Sequence, residues 1–194
     1  MKRISLIASS LIALSLSACS THFHTLKPDD RTGFYPTSAQ VDPGGILKFD
    51  TSIDPRNSAY VLLVSESNIR PAGFSFTLRS ALAQSGLTRV YTLDEFKQLA
   101  QDKGFTFQDD KINAESLRRF STEIGSVLVV DMTYRFVGDA RMRSTLIVGD
   151  ARTGKTLLQV DHPRLVWSDF DAEALYPVLN QLRKWIKDSS KGAV

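Results

Sequence analysis

Gly125-Ser126-Val127-Leu128-Val129-Val130-Asp131-Met132-Thr133-Tyr134-Arg135-Phe136-Val137 is the stretch from which the fold is read. Val127 to Val130 is an unbroken apolar run, the mark of a buried strand. From there to Val137 apolar and polar residues alternate, as on a strand with one face toward solvent. Gly138-Asp139 then signals a turn, and residues 141–148 alternate again. Asp150-Ala151-Arg152-Thr153-Gly154-Lys155 is a polar turn, after which residues 156–167 return as a strand. Upstream, Gly125 closes a helix that follows Asn113 and carries Leu117, Phe120 and Ile124 on one side.

Further outward the signals repeat. Thr92-Leu93-Asp94-Glu95 matches a capping box, opening a helix with Phe96, Leu99 and Ala100 that Gly104 ends. Tyr60-Val61-Leu62-Leu63-Val64 is a second unbroken apolar run, hence a second buried strand. Between these, Pro71 precedes a helix whose face is Phe74, Leu78, Ala81 and Leu82; Gly86 stops it, and residues 87–91 form a short strand. A last helix, with Ser168, Asp169 and Asp171 as caps, buries Leu175, Val178, Leu179, Leu182 and Ile186, and Pro177 belongs in its first turns or kinks it. The order βαβααβββα predicts an α/β (α+β) domain over residues 59–189: a mixed sheet of about five strands with helices packed on it. Residues 190–194 form a short tail.

The other end of the chain has a different character. Lys2 and Arg3 precede an apolar run over residues 4–18, a signal peptide by its length and flanks and too short for the roughly 20 residues of a membrane span. Removing residues 1–18 leaves 176 of the 194 residues, enough for one domain with a core. Lys2 and Arg3 leave with the signal, so the formal charge falls from +3 to +1. A basic footprint for nucleic acid would be larger and clustered, and no nucleic-acid partner is expected. Residues 20–58 are rich in proline and glycine, and the first half of this segment reads as a tether. Ile46-Leu47-Lys48-Phe49 is a short edge strand or packs on the domain.

Leu16-Ser17-Ala18-Cys19 resembles the lipobox of bacterial lipoproteins, and Cys19 is the single cysteine. The resemblance implies that the Cys19 thiol carries a diacylglyceryl group and that its amine, freed by cleavage, is acylated. Two or more acyl chains anchor stably where one does not. By the same resemblance, Ser20 in place of Asp implies the outer membrane. Residues 59–189 in turn resemble the periplasmic α/β fold of the N-terminal domain of the Tol translocation protein. The curli-export channel lipoprotein, the Pel polysaccharide export lipoprotein and the peptidoglycan-synthase activator lipoproteins share that fold. The resemblance rests on element order, on the 125–130 stretch and on the 150–155 hairpin. It implies an accessory or assembly protein with an envelope protein as partner, and no catalytic residue carries over.

The remaining motifs separate cleanly on chemistry. Gly149-Asp150-Ala151-Arg152-Thr153-Gly154-Lys155-Thr156 satisfies a P-loop pattern, but phosphate cradling needs a helix after the loop and here a strand follows, so no nucleotide is expected. His22 and His24 lack nearby further ligands and His162 is distant, so no metal or other cofactor is expected. Ser75 lacks the second glycine of a nucleophile elbow, and three histidines leave little for a Ser-His-Asp arrangement. Arg135, Arg141 and Arg143 cluster around one hairpin, either as charges protecting a sheet edge or as a site for an anionic ligand. Tyr176, Trp167 and Trp185 read as packing around the last helix. The expectation is a non-enzymatic accessory lipoprotein on the periplasmic face of the outer membrane, with a module for anionic polysaccharide or lipid headgroups as the alternative and a periplasmic hydrolase as the remaining rival.

Overall fold

The computed structural model describes residues 27–64, 74–107, 112–138, 141–165 and 171–191. The signal, Cys19, Ser20, His22, His24, Pro71, Trp167 and the caps Ser168 and Asp169 lie outside them. One mixed sheet of six strands holds the molecule together, in the spatial order β1-β6-β5-β4-β2-β3. The strands are β1 (Ile46–Phe49), β2 (Tyr60–Val64), β3 (Val90–Tyr91), β4 (Val127–Phe136), β5 (Arg141–Asp150) and β6 (Thr156–Leu165). The helices are α1 (Phe74–Gln84), α2 (Leu93–Asp102), α3 (Ala114–Glu123) and α4 (Tyr176–Ser189).

The two unbroken apolar runs became neighbours. Tyr60–Val64 pairs in parallel with the first half of β4, Tyr60 against Val127 and Val64 against Asp131. A parallel strand in mid-sheet is covered on both faces, which is why neither run alternates. The alternating strands β4, β5 and β6 instead pair antiparallel over their full length. The strand count is six, not about five, because Ile46–Phe49 adds an edge strand on β6, with Phe49 opposite Leu158.

Helices cover the two faces unequally. On one face α1 and α4 press Leu78, Leu82, Val178, Leu182 and Trp185 onto Val61, Leu128, Val130, Leu146 and Val160. The Trp185 indole donates to the Asp50 carbonyl at 2.6 Å. On the other face α2 and α3 enclose an aromatic cluster, Phe96, Phe105, Phe107 and Phe120, over Leu62 and Val127. The Phe96 and Phe120 rings stand 4.8 Å apart. Both helices start where side chains satisfy their first amides: Thr92 with Glu95, and Asn113 with Ser116, each as a reciprocal capping box. α4 has no such cap; it continues from a π turn, Asp171–Leu175, and Pro177 sits in its first turn, where no amide is needed.

Within the stretch expected to be a tether, residues 35–41 pack on the body. Tyr35, Ala39 and Val41 are buried, and the Tyr35 ring stacks on Tyr176 at 5.1 Å. The Asn180 side chain serves Tyr35 as a strand neighbour would, accepting from its amide at 2.8 Å and donating to its carbonyl at 3.0 Å.

Candidate functional site

The aromatic cluster of α2 and α3 reaches across β2, β3 and the start of β4, and ends at Val129 and Ala151. Beyond it that face carries no helix among the described residues. The face bears Asp131, Thr133 and Arg135 from β4, Arg141, Arg143, Thr145 and Ile147 from β5, and Gln159, Asp161, Pro163 and Leu165 from β6. None of these side chains is buried. Register lines them up in rows: Asp131, Ile147 and Gln159; then Thr133, Thr145 and Asp161; then Arg135, Arg143 and Pro163. Residues on the opposite side of the same strands, Met132, Tyr134, Met142, Ser144 and Leu146, are fully or almost fully buried.

The three arginines meet here. Arg135 lies directly opposite Arg143, and Arg141 is two residues along on the same side. Like charges directly opposite each other across strands are destabilising. Asp161 gives partial relief: the Arg143 Nε lies 3.5 Å from its Oδ1, which also accepts from the Thr145 hydroxyl at 3.2 Å. At this exposure such a pair contributes about 0–1 kcal/mol. The edge-protection reading is corrected for β5, which lies between β4 and β6 and so has no edge to protect.

The sheet's opposite side holds a polar row that the sequence reading passed over. Tyr134, Ser144 and His162 sit in line across β4, β5 and β6. His162 is 3% exposed, and its Nε2 donates to the Glu173 carbonyl in the π turn at 2.9 Å. The Ser144 hydroxyl is buried without a hydrogen-bond partner among the described residues. Serine and histidine are adjacent, but at 0% and 3% exposure no substrate reaches them. The one clue in the sequence was the register: His162 falls on the same side as Leu158 and Val160.

The P-loop pattern is a hairpin, with Asp150 closing β5 and Thr156 opening β6. Gly154 takes φ +72, and the Asp150 carboxylate is occupied by the Thr153 hydroxyl and the Arg152 amide. Among the described residues no group of three histidines, cysteines or acids is placed to hold a metal. No helix of these residues is long and apolar enough to cross a membrane. A cleft lined by Pro55, Arg56, Gly86 and Arg89 has both arginines engaged, Arg56 with Asp54 and Arg89 with the Ala59 carbonyl.

The groups with shifted acidities lie away from the bare face. Hydrogen bonds from Ser52 hold the Asp50 carboxyl low, the Arg56 side chain does so for Asp54, and the Thr92 amide and Arg79 do so for Glu95. Burial pushes the Tyr35 phenol up.

The chain is similar to several solved structures. The C-terminal domain of LpoB from Salmonella enterica is 19% identical, with a TM-score of 0.39, over 59% of this chain and 88% of that one. Lipoprotein GNA1162 from Neisseria meningitidis is 17% identical, with a TM-score of 0.37, over 70% and 99%. The PelC dodecamer from Paraburkholderia phytofirmans gives 11%, a TM-score of 0.38, and 74% and 93%. No family model and no curated protein matches. These are likenesses, and none assigns a function to this chain.

Proposed function

We propose that this protein is a lipid-anchored accessory protein on the periplasmic face of the outer membrane, without catalysis of its own, that docks an envelope protein on the bare half of its sheet. The observation that carries this reading is the unequal helix cover. Three ten-residue strands expose a mixed surface on one side while the other side is sealed by α4. The apolar face of α4 is consumed by the core, so docking falls to the sheet rather than to the last helix. Anchoring is supported by Leu16-Ser17-Ala18-Cys19, which places one thiol directly after a short apolar export signal.

A photo-crosslinking residue in place of Thr133 or Ile147, in cells, tests the docking face. The reading expects a discrete adduct with an envelope protein that is absent when the crosslinker replaces the exposed Lys103. Recovery of the uncrosslinked protein alone from both face positions contradicts it.

A second reading is favoured by the Arg135–Arg143 pair: a module for anionic polysaccharide or lipid headgroups. It expects Arg141→Glu combined with Arg143→Glu to abolish retention on an anionic polymer, and unchanged retention contradicts it.

A further inference from the structure

The end of the sheet where β4 meets β5 combines two features that folding does not require. Three of the five exposed large apolar side chains among the described residues are here: Phe136 at 56%, Val137 at 49% and Leu165 at 41%. They occupy the last rungs, Phe136 opposite Met142, Val137 bonded through its amide to the Arg141 carbonyl, and Leu165 opposite Arg141. Four arginines surround them. Arg141 and Arg164 lie on these same rungs, and Arg135 and Arg143 one rung behind. The acids nearby are Asp161 on β6 and, in sequence, Asp139 of the turn.

The apolar residues lie on both sides of the sheet's end. By alternation Phe136 falls on the side of Tyr134, and Leu165 on the side of its partner Arg141. A flat partner docking on one face reaches only part of this set, whereas a medium that receives the end as a whole reaches all of it. We propose that this strand end is an interfacial contact with an anionic bilayer: Phe136, Val137 and Leu165 enter the headgroup layer, and Arg135, Arg141, Arg143 and Arg164 bind lipid phosphates. Apolar insertion and attraction to anionic lipid are the two contributions from which interfacial binding is built. Arginine suits the role because its planar fork matches phosphate oxygens.

The inference rests on the anchored reading for its concentration, and the geometry permits it. Gly33 lies beside Arg183, which bonds Gln84 and Ser85 at the end of α1 that leads into β3, and β3 is joined through β2 to the first half of β4, whereas Phe136 closes its other end. Ten Cα steps separate Cys19 from Asp29, where the chain closes into a turn, the Asp29 amide donating to the Phe34 carbonyl and the Gly33 amide to the Asp29 carbonyl. Fully extended, those ten steps reach at most about 36 Å, just past the roughly 33 Å of a ten-residue strand. An anchored molecule can therefore turn its strand end to the membrane.

The test uses the anchored protein purified from membranes, with Val137→Cys carrying an environment-sensitive fluorophore, in vesicles of phosphatidylethanolamine with phosphatidylglycerol. The expected result is a blue shift and quenching by spin-labelled lipid. Both are weaker in phosphatidylcholine vesicles and reversed toward 1 M salt, where the screening length is about 3 Å. The same fluorophore at Lys103→Cys stays in water. Neutralising Arg135, Arg141 and Arg143 to Gln weakens the contact by about fivefold for each charge. A probe at 137 that stays in water in both lipids overturns the proposal, as does equal quenching at 137 and 103, or burial only on adding a soluble acidic protein. Label stoichiometry separates the premise: one label per chain means that Cys19 is blocked by its lipid. Two labels mean that the anchored reading fails, and parent protein labelled at Cys19 then supplies the background against which residue 137 is read.

Discussion

Arg135 and Arg143 face each other across β4 and β5 on a solvent-facing row, with Asp161 offsetting only one of them. Replacing Arg135 with Thr removes the repulsion and introduces a residue suited to a strand. The expected gain is about 0.2–1 kcal/mol, read as a higher urea midpoint at unchanged slope. A lower midpoint would mean that the Arg135 side chain makes contacts that outweigh the repulsion. Gly45 shows the opposite case, a position with no room. A Cβ there would stand 2.3 Å from the Asp161 carbonyl oxygen, a backbone atom. Gly45→Ala is expected to displace the start of β1 from β6 and to cost about 1–3 kcal/mol. Thermal denaturation checks this, and an unchanged midpoint contradicts the tight approach.

Among the elements, α2 shows how local chemistry sets a boundary. Thr92→Ala removes the acceptor for the Glu95 amide and is expected to cost about 1 kcal/mol. Glu95 closes the other half of the cap on the Thr92 amide at 2.9 Å and pairs with Arg79 at 2.7 Å. Both favour its charged form, so its folded pKa lies below the ordinary value of 4.5. A depressed folded pKa contributes stability that is complete above the unfolded value and is lost as pH falls through the folded one. The stability difference between the parent and Glu95→Ala, measured by urea unfolding, is therefore expected to hold from neutral pH to about 4.5 and to shrink below it. A difference constant down to pH 2–3 contradicts the assignment.

These same elements were legible in the sequence because their signals are local. The capping box at Thr92, the helix start after Asn113, the apolar run of β2 and the Gly154 hairpin each depend on residues within a few positions. The packing of Tyr35 was not, and Ile46–Phe49 was legible only as an edge strand or a packed segment, because both depend on partners such as Val160 and Asn180 more than a hundred residues away. The arginine cluster was legible in part. Alternation placed Arg141 and Arg143 on one side, but only register sets Arg135 opposite Arg143 and adds Arg164 and Leu165 to the same end. The bare half-face has no signature along the chain, since it results from where α2 and α3 stop.

At the scale of the whole molecule, the two faces have different physical fates. One is sealed by α1 and α4 into the larger core, and the other is closed over β2 and β3 and, among the described residues, carries no helix over β5 and β6. On the proposed reading, a lipid at one end of the chain holds this body near a bilayer and leaves the open half for a partner. Stable anchoring should depend on the Cys19 sulfur, since the strand-end contact relies on that anchor for its concentration: Cys19→Ser is expected to leave the thermal midpoint of the folded body unchanged and to move most of the protein from the membrane fraction to the soluble one.

The most direct test is the mass of the N-terminal peptide of the protein isolated from membranes. The account predicts a chain that begins at Cys19 and carries a diacylglyceryl group on sulfur, with a further acyl chain on its amine. A mature chain that begins elsewhere, or that begins at Cys19 with a free thiol, would contradict it.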